Sequence, residues 1–137
     1  MNKVHWEIDK KLRDNLEVFV YPNMSEKYEK LFCKATKLIA PHVDPHNITE
    51  YFTRKQVIIE LTSPTIFAQW LPTICYNLDM IDTKINDERN LMIIFLEELV
   101  HAYFFTNDEV WVGKKVAELY PDILFNEEKG KYEFLTS

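Results

Sequence analysis

Apolar residues recur along this chain in two rhythms, and the switches between them mark out its elements. Between residues 24 and 40, Tyr28, Leu31, Phe32, Ala35, Leu38 and Ile39 follow three-and-four spacing, which predicts an amphipathic helix. Asn23 with Glu26 three positions later forms a capping arrangement, and Pro41 stops the helix. Its other face, Lys27, Lys30, Lys34 and Lys37, reads as solvated. Upstream, Leu16 to Tyr21 is rich in strand formers and closed by Pro22-Asn23, so a strand is expected there. Ile8, Leu12 and Leu16 stand at helical spacing and predict a short helix before that strand.

Residues 41–47 read as a loop, because Pro41 and Pro45 bracket most of it. His42 and His46 are four apart, but Pro45 breaks any regular helix between them, so both are expected to face solvent. Thr53 to Leu61, centred on Val57, Ile58 and Ile59, predicts a strand, and Thr62-Ser63-Pro64 ends it. Ile66 to Trp70 fits either a short helix or an extended piece. Pro72 opens a second strand over residues 73–80. Asn86 or Asp87 then caps a long helix at about 87–105, with Glu88 in its first turn. Leu91, Met92, Ile93, Phe95, Leu96, Leu99, Val100 and Phe104 cover most of its circumference, which implies burial against both a sheet and another helix. Asp108 caps a last helix from Glu109 to Leu119, stopped by Pro121, and one short extended segment is expected near Phe125 to Phe134. The sum is an α+β fold, helices packed on a small sheet, with residues 1–137 as a single domain.

Composition narrows the function classes. With 47% apolar and 14% aromatic residues the chain can fill a core, and its two glycines form no flexible linker. The formal net charge is −6 and the basic residues are scattered among acids, so a phosphate backbone is repelled and nucleic-acid binding is not expected. No apolar run approaches the roughly 20 residues needed to span a bilayer, and the first residues lack the apolar core of a secretory signal. A soluble cytoplasmic protein is expected. Cys33 and Cys75 are far apart and flanked by apolar residues, which reads as two buried hydrophobes in place of a disulfide or a nucleophile. There is no glycine-rich phosphate loop, nucleophile elbow or Cys-His dyad at recognisable spacing.

The candidate chemistry lies in the long helix. Phe95-Leu96-Glu97-Glu98-Leu99-Val100-His101-Ala102-Tyr103 holds three ionisable groups in five positions of an otherwise apolar stretch. At about 100° per residue, Asn90, Ile94 and His101 fall within roughly 60° of Glu97, with Glu98 at the edge. This is a narrow polar slot, and from Asn90 to Phe105 it contains no basic residue except His101. A carboxylate in such a slot needs a proton, a cation or water, and a metal ion, a Lys or Arg from elsewhere, or an exposed edge would each serve.

The segment resembles the active-site helix of the zincin metallopeptidases, whose pattern is His-Glu-x-x-His within an apolar helix. In that family both histidines bind zinc and the intervening Glu activates a zinc-bound water. Carried over by position, the resemblance makes His101 a metal ligand, Glu98 the catalytic base, and Glu97 the residue at the first histidine's place. The order of helix, two strands, active helix and following helix is similar to a compact zincin core over about two thirds of the chain. Many relatives take a third ligand from the following helix, where Glu109 and Glu118 are candidates. Two antiparallel helices turning near Asn107 would set Glu118 beside Glu97, which favours Glu118 as ligand. A carboxylate for an imidazole alters the charge and softness of the site, so a Glu/His/Glu set suits Mn or Fe about as well as zinc.

Three readings follow. The first is a zincin-like protein without peptidase activity, serving as a binding or regulatory module. The second is a metal-dependent hydrolase with a divalent metal, zinc foremost, on Glu97, His101 and a later glutamate. The third is a structural or interaction protein whose Glu97, Glu98 and His101 form a solvated edge or pair with Lys114 and Lys115. Trp111, Tyr120, Phe125, Tyr132 and Phe134 either cover the core helix or form a surface for a protein partner or a second copy of the chain.

Overall fold

The computed structural model describes residues 2–22, 24, 26–53, 73–78, 81 and 87–135. Strand β1 (Asn2–Val4) runs antiparallel to β2 (Leu16–Val20), which lies parallel to β3 (Ile48–Thr53), itself parallel to β4 (Thr73–Asn77). The four form one sheet in the order β1-β2-β3-β4. A parallel pair cannot be joined by a tight turn, and the β2–β3 crossover is made by helix α1 (Glu26–Ile39). Helices α2 (Glu88–Phe104) and α3 (Glu109–Leu119) follow, and a two-stranded antiparallel hairpin of β5 (Ile123–Asn126) and β6 (Lys131–Phe134) ends the described chain. The α+β class expected from the sequence is the class observed. Among the described residues no helix is long and apolar enough to cross a membrane.

The helices begin and end where local chemistry requires. The Asp87 carboxylate accepts from Arg89 N at the start of α2, and Asp108 accepts from Val110 N and Trp111 N at the start of α3. Helix α1 gives way at Pro41 to a 3-10 turn over Ala40–His42. Helix α2 ends on Phe105, a non-glycine residue in the left-handed region at φ 52°, whose N–H closes onto His101 O. Tyr28, Phe32, Ala35 and Ile39 of α1 join the buried faces of the sheet and α2 in one core. Its centre is aromatic, with Phe52 of β3 stacked on Tyr76 of β4 at 4.6 Å and edge-on to Phe95 of α2 at 5.7 Å.

Four local expectations change. The short helix expected before β2 is absent: β1, a loop and a 3-10 turn (Arg13–Asn15) stand there, and the loop drops Ile8 and Leu12 singly into the core. The strand expected over Thr53–Leu61 instead occupies Ile48–Thr53, while residues 54–61 lie outside the described residues. Its alternation was hidden because one inward position between Ile48 and Phe52 is the charged residue Glu50. The second strand ends at Asn77, short of residue 80. The single extended segment expected at the end is a hairpin. The caps suggested for Asn23 and Asn86, and the piece Ile66–Trp70, lie outside the described residues.

Candidate functional site

Helix α2 turns Glu97 toward the hairpin and His101 toward the start of α3. Tyr132 of β6 donates its hydroxyl to Glu97 Oε2 at 2.9 Å. Burial raises the Glu97 carboxyl above its ordinary range; the Tyr132 bond opposes this, the Glu109 charge adds to it and His101 again opposes it. The Tyr132 hydroxyl is in turn held protonated by burial and by the neighbouring Glu97 charge.

His101 is buried, and both ring nitrogens have neighbours. Nδ1 lies 2.7 Å from Thr106 O, and since a carbonyl can only accept, Nδ1 carries the hydrogen and donates it. The left-handed turn at Phe105 makes this contact possible by folding the chain back, with Thr106 N also donating to His101 O at 3.3 Å. Nε2 faces Glu109 Oε1 at 3.3 Å. The Glu109 side chain is largely exposed, so solvent screens that pair.

Glu98 is half-buried, and burial raises its carboxyl, with His101 lowering it and Glu97 and Glu109 raising it further. Glu118 is exposed and accepts from Lys115 Nζ at 2.9 Å. It does not stand beside Glu97, because the β5–β6 hairpin takes that place: Tyr132 reaches Glu97, and Phe125 lies against Gly113 of α3. The glutamate of α3 brought to His101 is Glu109. Nor do Lys114 and Lys115 neutralise the slot, since Lys114 pairs with Glu127 at 2.7 Å and Lys115 with Glu118. Among the described residues, no group of three or more His, Cys, Asp or Glu side chains is placed to hold a metal ion. His101 and Glu109 offer two donors, one fewer than the three protein ligands of a catalytic zinc site.

Against models of protein families, curated proteins and solved structures, the chain matches none. Its function therefore has to be argued from its own geometry.

That geometry holds a carboxyl the hydropathy pattern did not mark. Glu50 of β3 is wholly buried, and neither of its oxygens has a hydrogen-bond partner. Burial raises its carboxyl well above the ordinary range, the Glu98 charge adds to this, and the nearby Tyr76 hydroxyl works the other way. The buried hydroxyls of Tyr76 and Tyr103 also lack hydrogen-bond partners. A charged residue at the inward step of Ile48-x-Glu50-x-Phe52 was the available signal, readable only once the strand was placed. His46 departs from its expected solvent-facing position: its ring stacks on Phe105 at 4.5 Å and meets Tyr103 edge-on at 4.9 Å. His42 is exposed as expected. Cys33 is buried and Cys75 half-buried, both are free, and burial pushes both thiols up to about 11, which keeps them as unreactive thiols at neutral pH.

Proposed function

We propose that this chain is a zincin-like binding or regulatory module without peptidase activity. The observation that carries the reading is the engagement of Glu97, at the first ligand position, by the Tyr132 hydroxyl. Glu97 is held by Tyr132 and His101 by the Thr106 carbonyl, so these side chains pin α2 to the hairpin and to the α2–α3 turn. The region best suited to a protein partner or a second copy is that turn, where Phe105, Val110 and Trp111 are exposed together with the half-buried Phe104, whose ring meets Trp111 at 5.2 Å. A cytoplasmic setting agrees with two unpaired cysteines.

The purified protein, assayed for metal content and for hydrolysis of casein and a peptide library with and without added zinc, is expected to hold substoichiometric metal and to cleave nothing. One tightly bound metal per chain, lost in Glu97→Ala and His101→Ala together with a hydrolytic activity, would overturn the reading in favour of a metal-dependent hydrolase. His101, with Nδ1–H on a backbone carbonyl and Nε2 facing the Glu109 carboxylate, keeps the arrangement a metal-bound histidine uses, which makes this the competing outcome to measure.

A further inference from the structure

We propose that the cleft between the end of β1 and the start of β2 binds a free aliphatic α-amino acid. The cleft measures about 320 Å³, at the small end of the roughly 300–1,000 Å³ of ligand pockets, and opens where residues 3–8 part from residues 13–17. The parting has its cause in the core. The β1–β2 ladder pairs Asn2 with Val20 and Val4 with Val18, and the same register continued would set Trp6 opposite Leu16. Trp6 is instead buried against Phe32 at 5.9 Å and Phe52 at 5.1 Å, so the chain leaves the sheet after Val4 and the ladder stops. Successive residues of a central strand turn their amides to alternate neighbours. Tyr21 N donates to Phe52 O on the β3 side, so Phe19 and Glu17 also face β3, while Val20, Val18 and Leu16 face β1. Leu16 therefore turns its N–H and C=O toward the cleft, with no strand partner on that side.

The chemistry of the cleft selects the ligand. In an antiparallel ladder the residue opposite Leu16 would offer it one N–H and one C=O. A free α-amino acid carries the same donor and acceptor on one carbon, as ammonium and carboxylate, and the charged side chains of the cleft answer both. Arg13 donates from Nε and Nη2 to Ile8 O at 3.2 and 2.8 Å, which fixes the guanidinium and leaves its remaining N–H groups for a carboxylate. Asp14 and Glu17 supply acceptors for the ammonium. The contact of Glu17 with Lys3, at 3.8 Å between half-exposed side chains, is weak enough to yield to it. Lys3 and Arg13 balance Asp14 and Glu17, so the lining favours a ligand with one charge of each sign over a polyanion or a simple cation. Val4, Ile8 and Leu16 border the same space and suit a short aliphatic side chain. Among the described residues none of α2 lines the cleft, so metal or partner binding at Glu97 and His101 does not bear on the outcome.

The test is titration of the full chain with L-valine at millimolar concentrations, followed by calorimetry and by the amide resonance of Leu16. The controls are 3-methylbutanoate, which is valine without its ammonium, and isobutylamine, which is valine without its carboxylate. L-valine is expected to bind one per chain and to shift the Leu16 amide, with each control at least about tenfold weaker. Arg13→Gln removes the carboxylate's partner and should weaken binding by about tenfold. Asp14→Asn, at an exposed position, should weaken it by about threefold to tenfold, and carries the test if the first variant fails to fold. Absence of saturable valine binding, equal binding of either control, a Leu16 amide that does not respond, or undiminished binding in the folded variants would each overturn the proposal.

Discussion

The Tyr132 hydroxyl and the Glu97 carboxylate, 35 residues apart in sequence, meet at 2.9 Å and join the β5–β6 hairpin to helix α2. Glu97 is an ionisable group in an otherwise apolar helix, and its partner is a phenol from a strand. Tyr132→Phe removes this bond and leaves a half-buried carboxylate short of a donor. The expected cost is about 1–3 kcal/mol by urea denaturation, and a double variant with Glu97→Gln should recover part of it. An unchanged midpoint would show that the bond contributes nothing to stability.

His101 acts one turn further along the same helix. Its Nδ1–H satisfies Thr106 O, and Gln at this position cannot place a donor at the same point. His101→Gln is expected to lower stability by about 1–2 kcal/mol and to increase amide exchange at Phe105 and Thr106. A neutral substitution would return the residue to the solvated-edge reading.

Gly113 sits on the buried side of α3, and a Cβ there would run into the ring of Phe125. Alanine would ordinarily favour a helix, by about 1 kcal/mol. Here steric contact is expected to reverse the sign, with Gly113→Ala destabilising by about 1–3 kcal/mol. Adding Phe125→Leu, which shortens the obstructing side chain, should restore most of the loss.

Glu50 makes stability depend on pH. Its carboxyl is raised above the ordinary 4.5, so the folded chain holds that proton more tightly than the unfolded one. A raised group of this kind contributes stability that is present below pH 4.5 and is lost as the pH climbs through its folded value. Glu50→Gln does not titrate. Relative to wild type it should therefore gain stability as the pH is raised above 4.5, measured by urea midpoints at a series of pH values. Parallel curves for the two proteins would exclude an ionisable Glu50 as the source.

Local chemistry written in the sequence determined α2 and α3 nearly to the residue, because Asp87 and Asp108 are caps whose carboxylates need only the next two or three amides. The same holds for α1, its lysine face and its end at Pro41. Glu97, Glu98 and His101 were also legible, as ionisable groups in an apolar helix. Which groups answer them was decided only in three dimensions. A hairpin, not the end of α3, covers Glu97, and Glu109, not Glu118, meets His101, since these contacts depend on how α3 and its following strands pack. Glu50 lay furthest from view: it becomes a core residue through the pairing of β3 with its neighbours, a long-range register that no local pattern encodes.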